Sequence, residues 1–234
     1  MKKIIIGMLL TALLMLAGCQ NIAGEENTIH VTGTSELSFD PDEAEVWAGI
    51  DVLEINAEKA QEEANRVMNN IIDGLRYKGI TEEDMETERL SLREEKVWED
   101  GEYVSKGYRA TQTLKITVDD LDKVGEVVDV AVANGANTIN RINFKLSEKK
   151  EQEYKQQALA EATANAKQKA EVIADSLGVE LKGVKTVTES DYNYRPYGYA
   201  MEKAVGAAAV EEATAVMPGD VEVNGRISVI YNIR

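Results

Sequence analysis

The sequence predicts an α+β protein, antiparallel sheet backed by helices, with elements in the order β-β-α-β-β-α-β-α-β-β. Three observations carry that prediction. Strand-like alternation and helix-like stripes take turns from residue 28 to the C-terminus. Each helical stripe runs out at a glycine, the residue best suited to the left-handed turn that ends a helix. The final segment alternates cleanly, with Val221, Val223, Ile227, Val229, Tyr231 and Ile233 on one face and Glu222, Asn224, Arg226 and Ser228 on the other.

The elements follow in order. Thr28 to Thr34 is β-branched, with Ile29 and Val31 sharing a face. The turn Asp40-Pro41-Asp42 leads into a strand where Ala44, Val46, Ala48, Ile50 and Val52 alternate against Glu43, Glu45, Trp47 and Asp51. Asn56 suits an N-cap. The stripe Ala60, Ala64, Val67, Met68, Ile71, Ile72 and Leu75 makes one helical face, closed at Gly79. A long hairpin runs from about Glu88 to Val118 and turns at Asp100-Gly101. Asp119 or Asp120 caps a second helix, which buries Val124, Val127, Val128, Ala131 and Val132 and ends at Gly135. A strand with Ile142, Phe144 and Leu146 follows. Ser147 then caps a helix reaching about Leu177, on the order of 45 Å long. Its expected stripe is Ala162, Ala166, Ala170, Ile173 and Leu177.

The N-terminus carries an address. Lys2 and Lys3 precede an apolar run from Ile4 to Leu16, and Leu16-Ala17-Gly18-Cys19 resembles a bacterial lipobox. A membrane-spanning helix needs about 20 apolar residues, and this run is shorter. Residues 1–18 are therefore expected to be a lipoprotein signal peptide, with Cys19 as the lipidated residue. An ordinary cleaved signal with an incidental cysteine is the competing reading. Residues 19–27 would form a tether of at most roughly 27 Å. That puts the remaining domain, residues 28–234, in the cell envelope, on the outer face of the cytoplasmic membrane or in the periplasm where there is an outer membrane.

Cys19 is the only cysteine, so the folded part has no disulfide and no thiol nucleophile. Removing Lys2 and Lys3 from 26 basic residues leaves 24 against 42 acidic ones, a net charge of −18. Nucleic acid is excluded as a partner, because its binding needs Lys and Arg on phosphates. Anionic lipid is also repelled, so acyl chains on Cys19 must supply the membrane affinity.

Several stretches match a known family. HVTGTSELSFDPDEAEVWAGIDV, GYRATQTLKITVDDLDKVGEVVDVAVANGAN with INFKLS, and ALAEATANAKQKAEVIADSLGV resemble the SIMPL domain, a bacterial and archaeal domain of unknown function. The likeness spans about Thr28 to Arg234. It implies an exported α+β protein that self-associates, with some members linked to oxidative stress or host immunity. It supplies no catalytic residues.

No catalytic constellation is expected. His30 is the only histidine and lies opposite Ile29 and Val31, a solvent-facing strand position. One histidine and a lipidated cysteine cannot build a triad or a zinc site, and no cofactor motif occurs. The carboxylate pairs Glu82-Glu83, Glu94-Glu95 and Asp119-Asp120 read as solvated surface. An envelope enzyme using other carboxylates, or a small-molecule-binding protein, are the alternatives to a non-enzymatic assembly or binding module. The stretch that resists a bland reading is DYNYRPYGYA, which opens a Tyr/Ala-rich connection at 191–219. Connections in compact domains are usually about 4 to 6 residues, and Tyr and Arg are enriched at binding hot spots. Tyr192, Tyr194, Arg195, Tyr197 and Tyr199 are the expected contacts of a partner or of a second copy, with a disordered excursion as the competing reading.

Overall fold

The computed structural model describes residues 27–199, 214 and 216–234. Its strands are β1 (Thr28–Phe39), β2 (Glu43–Glu54), β3 (Met85–Glu99), β4 (Glu102–Val118), β5 (Thr138–Lys145), β6 (Leu181–Arg195), β7 (Tyr197–Tyr199) and β8 (Val221–Ile233). Its helices are α1 (Ala57–Tyr77), α2 (Val124–Ala133) and α3 (Glu148–Leu177). The expected α+β class and order hold, with β7 as an added short strand. All pairings are antiparallel, and they form two sheets: β1-β8-β6, and β3-β4-β2-β5-β7.

In the five-stranded sheet, alternation puts Ala44, Val46, Ala48 and Ile50 of β2 beside Leu114, Ile116 and Val118 of β4 on the face covered by α1 and α2. Asn56 caps α1 as expected, its Oδ1 accepting from Lys59 N at 2.9 Å. Gly79 and Gly135 take φ of 90° and 106°. The amides beyond them reach back from Ile80 to Leu75 O at 3.1 Å and from Ala136 to Ala131 O at 2.9 Å. Those bonds satisfy carbonyls the helix ends would leave open. Asp120 caps a single 3-10 turn that feeds α2, its Oδ1 accepting from Asp122 N at 3.2 Å.

The three-stranded sheet is covered by α3, which approaches much more closely. Ala158, Ala162, Ala166, Ala170 and Ala174 are its buried residues. A Cβ on Gly33 would collide with Ala162 O and lie 2.7 Å from Ala166 N. Ser35 Oγ donates to Ala158 O at 2.7 Å. This differs from the expected stripe: Leu177 is 65% exposed, and Ile173 is also exposed. Small side chains every fourth residue let the helix seat on Gly33, whereas Ile173 and Leu177 would hold it off the sheet. Val132 of α2 is likewise exposed, while Gly125 is buried beside the expected Val124, Val127, Val128 and Ala131.

Two further expectations are corrected by side-chain partners. Trp47, expected on the open face of β2, is only 5% exposed, because the Arg141 guanidinium sits 3.8 Å from its ring centroid. Ser147 holds the N-cap position of α3, but its hydroxyl does not cap; it donates to Asp42. The β1 edge is guarded by α3, since Lys169 Nζ donates to Thr32 O at 2.9 Å and Asn165 Oδ1 accepts from Thr34 N at 3.4 Å. Side chains on an edge block further strand pairing there.

Candidate functional site

The chain passes between the sheets at several points, and three of them converge. β1 leaves for β2 at Asp40-Pro41-Asp42, β5 turns into α3 at Leu146-Ser147, and β6 gives way to β7 at Pro196. Asp42 Oδ1 accepts from Ser147 N and Oδ2 from Ser147 Oγ, both at 2.8 Å, with Lys150 Nζ at 3.5 Å. Burial pushes this carboxyl up, but the two Ser147 bonds and the Lys150 charge together hold it below the ordinary aspartate value. Tyr194 Oη accepts from Leu146 N at 2.6 Å. One knot of hydrogen bonds therefore fixes how the sheets meet.

The tyrosine-rich stretch belongs to this junction. β6 runs to Arg195, beyond the expected start of the connection, because Asp191 to Arg195 pair with Arg226 to Glu222 of β8. Strand alternation turns Tyr192 and Tyr194 toward α3 and Asn193 and Arg195 away from it. Tyr192 Oη donates to Glu151 at 3.2 Å, with Lys155 Nζ 4.8 Å from its ring centroid. Burial first, then neighbouring Glu151, raises the Tyr192 phenol pKa, and burial chiefly raises that of Tyr194. Both stay protonated and act as packing and hydrogen-bonding groups beside Leu37, Phe39, Tyr154, Val221 and Val223. Phe39 and Tyr154 stack with centroids 3.6 Å apart.

Pro196 has no N–H to continue the ladder with β8, and the chain joins the other sheet, where Tyr197 pairs with Phe144 and Tyr199 with Ile142. Tyr197 is 40% exposed, Arg195 is exposed, and the Tyr199 side chain lies outside the described residues. The five expected contact residues are thus divided between two sheets. Tyr194→Phe removes the acceptor of a half-buried amide and is expected to cost about 1–2 kcal/mol. Urea denaturation of the variant beside the parent measures it. Cys19 and most of the tether also lie outside the described residues.

The surface that sequence reading missed is the end of the β3–β4 hairpin. β2 pairs with β4 only as far as Glu54 opposite Tyr108, while β3 and β4 continue from Glu95 opposite Gly107 to Glu99 opposite Glu102. The bulge at this point, with Gly107 at φ 118° against Glu54 O, is where the ribbon leaves the sheet. Five residues of β3 and, with the bulge, six of β4 carry it on the order of 17 Å outward. Asp100 and Gly101, at φ 49° and 96°, form the tight turn. Trp98 and Tyr103 face one another there, 60% and 71% exposed, with centroids 4.8 Å apart at 70°. Lys106–Glu99 at 2.7 Å bridges β4 to β3, and Lys96–Glu94 at 2.8 Å pairs along β3. The sequence signal was present: a Trp and a Tyr flanking Asp-Gly in a hairpin longer than its neighbour strand.

Other chemistry finds little support. Among the described residues no group of His, Cys, Asp or Glu is arranged to hold a metal ion. Asp42, Glu63 and Glu94 have lowered carboxyl pKa values, opposite to the raised carboxyl that a general acid needs. His30 is exposed. No helix among the described residues is long and apolar enough to cross a membrane.

Comparison with known proteins agrees with the fold-level likeness. The SIMPL model, "Protein of unknown function (DUF541)", matches residues 29–231. The chain is 25% identical over 228 residues to "Uncharacterized protein YggE" of Escherichia coli (strain K12), covering 95% of this chain and 92% of that one. It is 26% identical over 205 residues to the YggE of Edwardsiella ictaluri, covering 86% and 85%. It is also 26% identical over 213 residues to the "26 kDa periplasmic immunogenic protein" of Brucella melitensis, covering 88% and 84%. With a family model spanning nearly every described residue, the chain belongs to the SIMPL family.

Proposed function

We propose that this protein is a non-enzymatic assembly module of the cell envelope, held to the membrane by acyl chains on Cys19 and self-associating through the projecting ribbon. The observation that carries the reading is the exposed Trp98–Tyr103 pair on a ribbon that outruns its sheet. Large aromatics are costly to leave in water and are the residues most enriched at interface hot spots. Glu99, Asp100 and Glu102 surround the pair, which disfavours an anionic lipid surface and favours a protein one. The extracytoplasmic setting is supported by the leader-like N-terminus and by the Brucella relative, which is named a periplasmic protein. A part in oxidative or envelope stress fits the family likeness and sets no chemistry at a residue.

Light scattering on a sizing column tests the association. The parent is expected as a defined oligomer, and Trp98→Ser/Tyr103→Ser as a folded protein whose association is weakened at least about 30-fold. A monomeric parent, or an unchanged oligomer in the variant, would overturn the reading. Cys19→Ser is expected to move the protein from the membrane to the soluble fraction and to abolish incorporation of labelled fatty acid.

A further inference from the structure

The face of the three-stranded sheet turned away from α3 holds a cleft of about 530 Å³, well within the range of ligand sites. Its floor is the backbone of the cross-strand row Ser35, Gly225 and Tyr192. The Ser35 and Tyr192 side chains point the other way, to Ala158 and Glu151 of α3. Thr34 and Arg226 form one wall, and Glu36, Asn224 and Asn193 the other. A bulge in β6 between Glu189 and Asp191 bends the strand beside it.

What separates this surface from the corresponding face of the other sheet is how its polar groups are used. There, Arg109 binds Asp51 and Glu95, Lys115 binds Glu86, and Lys145 binds Glu43 and Glu45. Here, the side chains of Glu36, Asn193 and Asn224 have no hydrogen-bond or ion-pair partner among the described residues. Each carboxamide presents two donors and an acceptor, and the carboxylate only acceptors. Glu36 opposes an anion and Arg226 opposes a cation. No aliphatic side chain of Val, Leu or Ile lines the cleft, so polar contacts outweigh apolar ones there. The complement is an uncharged molecule that carries donors and acceptors together on every few atoms.

We infer that this cleft binds a neutral glycan segment, its hydroxyls bridging Asn193 and Asn224 to Glu36 and Arg226 across the three strands. The test uses the full chain in a zwitterionic, sugar-free detergent, titrated to 20 mM with chitotetraose, maltotetraose or trigalacturonate while backbone amide resonances are followed. The expected result is saturable movement of the Asn193, Asn224 and Gly225 amides with at least one neutral tetrasaccharide. Asn193→Ala/Asn224→Ala should weaken it at least 10-fold while leaving the denaturation midpoint in place, and Glu36→Ala provides a second test on a different strand. No saturable movement with either neutral sugar would overturn the inference. So would a response to trigalacturonate alone, movement located elsewhere, or equal affinity in the variants.

Discussion

Replacing Gly33 by valine is expected to cost more than about 3 kcal/mol, a large part of the 5–15 kcal/mol that holds a typical domain together. The cause is backbone against backbone. Any Cβ at this position meets Ala162 O and sits 2.7 Å from Ala166 N and 2.8 Å from Ala166 Cβ. None of these is the end of a flexible side chain, so α3 must lift from β1 along its length. The hydrogen bond from Ser35 to Ala158 O would be lost with it. Gly183→Ala is the matched control: it adds a Cβ in the same sheet where nothing lies within 4 Å, and its cost is expected to be within about 0.5 kcal/mol. Denaturation midpoints of the two variants decide it; equal midpoints would show that α3 is not seated as described.

Asp42→Ala is expected to cost about 2–3 kcal/mol by stripping two charge-assisted bonds from Ser147, one of them from a half-buried backbone amide. This loss depends on pH with a definite sign. Despite the upward push of burial, the Asp42 carboxyl is held below its ordinary value in the folded state, so the unfolded chain binds the proton more readily. Its stabilisation is complete above about pH 4 and disappears as the pH falls through the lower, folded-state value. The free-energy gap between parent and Asp42→Ala should therefore be constant from pH 7 to about 5 and close on further acidification. A gap that widened in acid would mean the carboxylate is not the form Ser147 grips.

The local pattern was legible wherever side-chain chemistry alone decided it. Asn56, Gly79 and Gly135 mark helix ends by capping and backbone freedom, and β2 and β8 declare their buried faces by alternation. The division into two sheets was not, because β1 pairs with β8 across nearly the whole chain and no local signal encodes that partner. The face of α3 misled for a different reason. Hydropathy ranks Ile173 and Leu177 above alanine, but close approach over Gly33 selects for small size, so the alanines are buried instead. In DYNYRPYGYA the density of tyrosine hid a plain strand period, with Tyr192 and Tyr194 facing α3 and Asn193 and Arg195 facing out. The importance of Trp98 and Tyr103 depends on where β2 stops, which only the pairing register shows.

The most direct test of the assembly reading places a photo-crosslinking amino acid at Tyr103 in intact cells, with the same probe at Thr32 as reference. If the ribbon joins copies of this protein, irradiation at 103 yields a covalent adduct of two chains that is lost with Trp98→Ser, while position 32 yields none. A self-adduct from 32 and none from 103 would contradict it, because the ribbon would then lie outside the interface.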